Sequence, residues 1–148
     1  MNTDQHGLKH ENLTDRIIGI FFDVYNELGY GFLESVYERT MLVALQNAGL
    51  KAERQVAVPV WFRGMQIGDF QADLLLENTI FLELKAARTL DKAHEAQLLN
   101  YLKATEIELG LLFNFGQRPE FRRLLFDNPR NQIRENPCKS VAKGSSSA

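Results

Sequence analysis

The chain has 148 residues, a formal net charge of -2, 45% hydrophobic side chains and a single cysteine. That length fits one compact domain with a core that needs no covalent staples, and the lone Cys138 excludes an internal disulfide and suits a reducing compartment. No apolar run approaches a membrane span and the N-terminus has no apolar signal core, so a chain that works in the cytoplasm away from membranes is expected.

Residues 1–12 are polar and are expected to form a flexible N-terminus. A first helix is expected from Thr14, a good N-cap, because Ile17, Ile20, Phe21, Val24 and Leu28 recur at helical spacing. Gly29 and Gly31 end it in a tight connection. A second helix is expected over about 33–48, with Tyr37, Met41, Leu45 and Ala48 as its stripe and Gly49 as its stop. The pattern then switches to strands. Val56, Val58, Val60 and Phe62 alternate with Gln55, Ala57, Pro59 and Trp61. Pro59 points to a sheet edge or a bulge. Arg63-Gly64 reads as a turn, residues 65–76 as a second strand, Glu77-Asn78 as another turn and residues 79–86 as a third strand, making an antiparallel meander. Asp91 is a candidate N-cap for a helix that sets Leu90, His94, Leu98, Tyr101 and Leu102 on one side. Leu109 to Phe115 reads as a strand buried on both faces. Residues 121–126 read as a last strand or a helical turn. From Asn128 onward no apolar period remains, and a disordered tail is expected over 128–148. The order helix, helix, three strands, helix, strand implies one α/β domain over 13–127 with a mixed central sheet.

The chemistry concentrates between Asp73 and Lys85. Alternation along a strand puts Phe81, Glu83 and Lys85 on one face and Leu82, Leu84 and Ala86 on the other. A three-residue loop over 77–79 would set Asp73 opposite Glu83. A two-residue loop would set it opposite Leu82, and a bulge could restore the pairing. Two carboxylates converging this way suit a hard cation such as Mg²⁺ or Mn²⁺. Lys85 would then stand beside the attacking water and the phosphate. A surface Glu-x-Lys is usually a weak ion pair, but the apolar neighbours of this one make a buried pair costly without a function.

Two further segments carry candidates. Glu34 lies in the first turn of the second helix, where a helix-dipole carboxylate is the simpler reading, although a helix packed on the sheet would point it inward. His94, Gln97 and Tyr101 share a helical face. A His there is more often a hydrogen-bonded core residue, and a buried Gln needs partners. Tyr37 and Tyr101 read as packing residues with a polar tip. Asn114-Phe115-Gly116 reads as a turn.

Gly31, Glu34 and Tyr37, followed by Asp73, by Glu83-Leu84-Lys85, by His94 to Tyr101 and by Leu111 to Gly116, together resemble the GxxExxY protein family, a branch of the PD-(D/E)XK nuclease superfamily. The resemblance covers about residues 13–126. Gln97 and Tyr101 also stand at a spacing similar to a motif of RecB-like nucleases. The resemblance implies a restriction-endonuclease-like core with a mixed sheet of about four strands, flanked by helices and preceded by a helical hairpin. It implies Asp73 and Glu83 as metal ligands, Lys85 as the catalytic lysine, Glu34 as an accessory acidic ligand and Gln97 as a substrate or water contact. Many relatives carry His where this chain has Tyr25, which leaves that position without an assigned role.

The leading reading is a Mg²⁺- or Mn²⁺-dependent nuclease acting on DNA in repair, recombination or defence, with a homodimer as one way for so small a domain to cut two strands. The runner-up is a catalytically silent module of the same fold that binds nucleic acid or protein, and RNA processing is a third. The acidic main body favours the module. Residues 117–148, with 7 basic and 3 acidic side chains, suit contact with a phosphate backbone or simply a solvated tail.

Overall fold

Two helices form first along the chain. The computed structural model describes residues 2–127, with α1 over Asn2–Leu28 and α2 over Glu34–Asn47. Helix α1 begins well before Thr14, which is buried inside the helix rather than capping it. The expected loose segment over 1–12 is therefore helical from Asn2. Once Ile17, Phe21 and Val24 anchor one face in the core, each upstream residue adds a helical hydrogen bond at little entropic cost. The connection turns at Gly29 and Gly31, whose φ values of 69° and 113° lie where a side chain is disfavoured.

Five strands follow, one more than expected: β1 (Ala52–Phe62), β2 (Met65–Leu76), β3 (Ile80–Lys85), β4 (Leu109–Phe115) and β5 (Pro119–Leu125), with α3 (Lys92–Ala104) between β3 and β4. The segment left open as strand or helical turn is β5. The sheet order is β1-β2-β3-β4-β5. Strands β3 and β4 are parallel and the other pairs antiparallel, so the sheet is mixed. Pro59 sits on the edge strand β1, beside a bulge at Val60/Trp61, where its missing N–H costs no ladder bond.

The two faces bury separate clusters. On one, Ile17 and Phe21 of α1 and Tyr37, Met41 and Leu45 of α2 pack on Leu82, Leu84, Leu111 and Phe113. Phe21 stacks on Phe113 with ring centroids 4.2 Å apart, and Tyr37 on Phe115 at 4.1 Å. On the other, Leu98, Tyr101 and Leu102 of α3 pack on Phe81 and Leu112. Every residue of β4 is buried, as a central strand covered on both faces requires. The expected disordered tail at 128–148 lies outside the described residues. Among the described residues no helix is long and apolar enough to cross a membrane, which says nothing of strands.

Because Phe21 fills the contact between α1 and β4, Phe21→Ala should cost about 3–5 kcal/mol, read as a lowered urea midpoint. Phe32→Ala, at a half-exposed position, should shift the same transition by less than about 1 kcal/mol.

Candidate active site

The site forms where β2 and β3 part. Their pairing is Leu76 to Ile80, Leu75 to Phe81 and Leu74 to Leu82. The turn over 77–79 has Glu77 and Asn78 in the left-handed region, at φ 52° and 53°. Glu77 is held there because its carboxylate accepts the Lys51 N–H at 2.7 Å. This is the three-residue loop, and it carries the register on to Asp73 and Glu83. Beyond Leu74 the regular ladder stops and side chains replace it. The Leu84 N–H donates to Asp73 Oδ2 at 2.8 Å, and the Asp73 N–H to Glu83 Oε1 at 3.4 Å.

The neighbouring strand shares the irregularity. Leu74 packs with α1 and α2 while Ala72, two residues earlier, packs with α3. Residues two apart on a regular strand share a face, so β2 rolls over at Asp73. Beside it on β1, Gln55 has φ 54°. A buried carboxylate from α2 secures that bend: Glu38 accepts Arg54 Nε at 2.9 Å and Gln55 Nε2 at 2.9 and 3.0 Å. Glu38 was not singled out in the sequence, although it follows Glu34 by one helical turn and its partners Arg54 and Gln55 open β1.

Burial first, and then the facing Asp73, push the Glu83 carboxyl up to about 8. Burial likewise raises Asp73 to about 6, against the lowering effect of the Leu84 N–H. Glu34 adds repulsion to both, and Lys85 attracts both. The Glu34 carboxylate accepts the Ala86 N–H at 3.3 Å, which brings α2 to the end of β3. Glu34 is thus drawn to the site, although among the described residues no three His, Cys, Asp or Glu side chains form a ready metal cage. Two close carboxylates with raised pKa values, short of positive charge, are a donor set that a hard divalent cation fits. Mg²⁺ ordinarily completes such a sphere with water and substrate oxygen.

Among the described residues no ion pair closes between Lys85 and Glu83. The Lys85 ammonium donates to Gln97 Oε1 at 2.9 Å. Gln97 Nε2 donates to the Tyr101 hydroxyl at 3.1 Å, which donates to the Gln71 carbonyl at 3.1 Å. Burial, then the charge of Glu83, push the Tyr101 phenol up to about 12, so it keeps its proton. The half-buried Gln97 amide is therefore satisfied at both ends, and it aims the lysine. His94 is used otherwise. It closes a capping box with Asp91, accepting the Asp91 N–H at Nδ1 over 3.2 Å while the Asp91 carboxylate accepts the His94 N–H at 3.1 Å. Tyr37 likewise serves the fold, donating to the Gly29 carbonyl at 2.6 Å and accepting the Phe32 N–H at 3.2 Å.

Asn114-Phe115-Gly116 is more than a turn. Asn114 is buried and holds Ala87 at both backbone atoms, accepting its N–H at 2.8 Å and donating to its carbonyl at 2.9 Å. A Cβ on Gly116 would collide with that same carbonyl. Asn114 also donates to Glu120 at 3.1 Å, which holds the Glu120 carboxyl below the usual range. Tyr25 donates to the Gly116 and Gln117 carbonyls at 2.7 Å each. These contacts fix the segment leaving Lys85. An Asn in an apolar strand was a visible signal, since a buried amide demands partners.

A mixed sheet carrying an acidic fork and a lysine, with helices on both faces, defines a restriction-endonuclease-like α/β domain. The chain belongs to the PD-(D/E)XK nuclease superfamily, whose family model matches residues 11–124. Enzymes of that superfamily generally use divalent metal ions. Among solved structures, the crystal structure of SSO0001 is similar, with TM-score 0.53 and 18% identity over 76% of this chain and 59% of that one. This chain thus spans under two thirds of the length of SSO0001. The Hjc Holliday junction resolvase of Archaeoglobus fulgidus matches with TM-score 0.40 and 21% identity over 62% of this chain and 71% of that one. No curated protein gives a significant match.

The raised carboxyls set a pH dependence. The folded chain holds protons on Asp73 and Glu83 that the unfolded chain has lost, between their ordinary values of 3.8 and 4.5 and the folded values of about 6 and about 8. Stability from these groups is therefore fully present below about pH 4 and is lost as pH rises towards about 8. Calorimetry without metal should show Tm falling over that window. Glu83→Gln should flatten the slope, and Mg²⁺ should raise Tm at the alkaline end and not at the acid end.

Proposed function

We propose that this chain is a Mg²⁺- or Mn²⁺-dependent nuclease of the GxxExxY type that hydrolyses phosphodiester bonds in DNA, in a cytoplasmic repair, recombination or defence role. The observation that supports this most is the fork itself. Asp73 and Glu83 face each other across parted strands, and Lys85 is steered by Gln97 rather than neutralised by Glu83. A structural ion pair would need none of this. A silent module would have no reason to keep two repelling carboxylates beside an aimed lysine.

Asp73 and Glu83 would hold the metal, with Glu34 reaching it directly or through water. When bound, such a metal polarises a phosphoryl oxygen and lowers the pKa of a water. In the reaction the oxygen of water would bond to phosphorus as the bond to the leaving ester oxygen breaks, the attacking water giving up a proton to solvent and the leaving oxygen taking one from solvent. Lys85 donates hydrogen bonds to that water or to the phosphate oxygens and offsets negative charge as it grows. Gln97 and Tyr101 keep the lysine on line, and the Asn114 clamp on Ala87 keeps the end of β3 from drifting. On β5, Arg122 and Arg123, with Arg118 just before the strand, offer cations to a phosphate backbone. The Arg122 cation already has a partner in Glu95 at 3.2 Å.

Cleavage of supercoiled plasmid, single-stranded DNA and RNA, each with and without Mn²⁺, tests this reading. The parent should nick DNA only with metal. Asp73→Ala and Glu83→Ala should each lose at least about a hundredfold in rate while keeping their circular dichroism. Lys85→Ala should lose a similar factor in kcat yet still bind Mn²⁺ by titration calorimetry. Cleavage confined to RNA would move the substrate. No cleavage of any substrate, with Glu83→Ala unfolded, would leave a structural pair and refute the proposal.

A further inference from the structure

The parallel strands β3 and β4 end side by side, with Lys85 opposite Asn114, and three segments meet beyond them. Residues 86–90 leave β3, residues 116–118 turn from β4 into β5, and residues 29–33 join α1 to α2. Hydrogen bonds tie the three together. Asn114 grips Ala87 at both backbone atoms, and Glu120 accepts the Leu90 N–H at 3.1 Å. Tyr25, in the last turn of α1, donates to the Gly116 and Gln117 carbonyls, and Glu34 accepts the Ala86 N–H. Open α/β sheets commonly take ligands at the carboxyl ends of neighbouring parallel strands. This rim shows rings and cations. Exposure is 58% for Tyr30 and 48% for Phe32. Their loop is clamped at both ends, because the Tyr37 hydroxyl donates to the Gly29 carbonyl and accepts the Phe32 N–H. Phe32 meets Tyr37 edge to face at 6.0 Å, and Tyr37 stacks on Phe115 at 4.1 Å. Phe32 is thus the outermost ring of a ladder rooted at the end of β4. Arg88 and Arg118 are exposed, and among the described residues neither closes an ion pair. Arg88 follows Lys85 by three residues, so its Cα lies within about 11 Å of that lysine's. A Cβ on Gly116 would stand 3.5 Å from the Arg88 carbonyl, so the segment carrying Arg118 borders the one carrying Arg88.

We propose that this rim holds an unpaired stretch of the DNA strand that the fork cuts, with Tyr30 and Phe32 stacking on bases and Arg88 and Arg118 pairing with phosphates. The inference rests on the nuclease reading for its link to the cut, and goes past it in naming the form of the substrate. Charge selects a polyanion. Residues 29–33, 86–90 and 116–118 together carry two cations and no anion. The flanking Glu34 and Glu120 carboxylates are engaged with backbone N–H groups. The rings select bases with open faces. Inside a duplex each base is covered by its neighbours, whereas an unpaired base offers a π-face whatever the sequence. The clamped loop favours this as well, because a platform already held in place loses little freedom on binding. A protein partner would require apolar area. Tyr30, Phe32 and Leu33, the exposed apolar side chains of this loop, fall well short of the about 800 Å² that each partner gives to a standard interface.

Fluorescence anisotropy of labelled oligonucleotides with the full chain, at low salt and in EDTA so that nothing is cut, tests the proposal. The probes are a mixed-sequence DNA single strand, its blunt duplex, a deoxyribose-phosphate strand of equal length without bases, and RNA of the same sequence. The parent should hold the DNA single strand at least about tenfold tighter than the duplex. Tyr30→Ala and Phe32→Ala should each weaken single-strand binding at least about fivefold and leave the duplex and the strand without bases unaffected, a pattern that misfolding does not give. Arg88→Ala and Arg118→Ala should weaken both single-stranded probes alike and each lower the salt slope by about 0.7. If one ring variant fails to fold, the other decides. Equal binding of duplex and single strand, ring variants that bind like the parent, or tighter binding of RNA than of DNA each overturns the proposal. A parent that binds as expected yet never cuts with metal keeps the rim as a single-strand contact and refutes the nuclease reading. A parent that cuts while both ring variants bind unchanged does the reverse.

Discussion

The structure turns on the parting of β2 and β3 after Leu74. A regular ladder would pair the backbone of Asp73 with β3 and send its side chain wherever alternation dictated. Here the Asp73 carboxylate takes the Leu84 N–H, and the Glu83 carboxylate takes the Asp73 N–H. Buried backbone donors need acceptors, and at this fork the acceptors are the two acids. Glu83 is thereby buried in the sheet, and Asp73 is half-buried against it. Burial and mutual repulsion raise both pKa values. That destabilises the chain by itself and makes the pair receptive to a cation. On the nuclease reading proposed above, stability is given up where the chemistry needs charge.

Much of the surrounding structure maintains that fork. Glu38 fixes the bend of β1 beside Asp73 through Arg54 and Gln55. Gln97, braced by Tyr101 and the Gln71 carbonyl, fixes Lys85. Asn114 and the bare Cα of Gly116 fix the segment that leaves β3. These supports come from α2, α3 and β4. Helices on both faces thus serve the site as well as the core, and groups placed by rigid elements hold their aim better than groups on loops.

Periodicity made most of the fold legible. The apolar stripes of α1 and α2 and the unbroken run of β4 each appear where the pattern puts them, because burial drives them, and β1 forms where its alternation puts it although only Val58 of Val56, Val58, Val60 and Phe62 is fully buried. The convergence of Asp73 and Glu83 was legible only through the length of the 77–79 loop. The start of α1 was missed because a helix can run backward past a good N-cap once tertiary contacts anchor its middle. The acceptor roles of Glu38 and Asn114 were missed for a different reason. Each depends on a partner distant in sequence, Arg54 and Gln55 for one and Ala87 for the other, so although an Asn in an apolar strand signals that a partner is needed, no local pattern says which residue it is. His94 shows the reverse. It was grouped with the site by helical spacing, yet a local bond to Asp91 accounts for it.

The most direct test of the central claim is anomalous diffraction from crystals of the parent chain soaked in Mn²⁺. A manganese peak bonded to carboxylate oxygens of both Asp73 and Glu83 is the predicted result. Manganese bound elsewhere, with the two carboxyls still facing each other and sharing a proton at saturating metal, would contradict it.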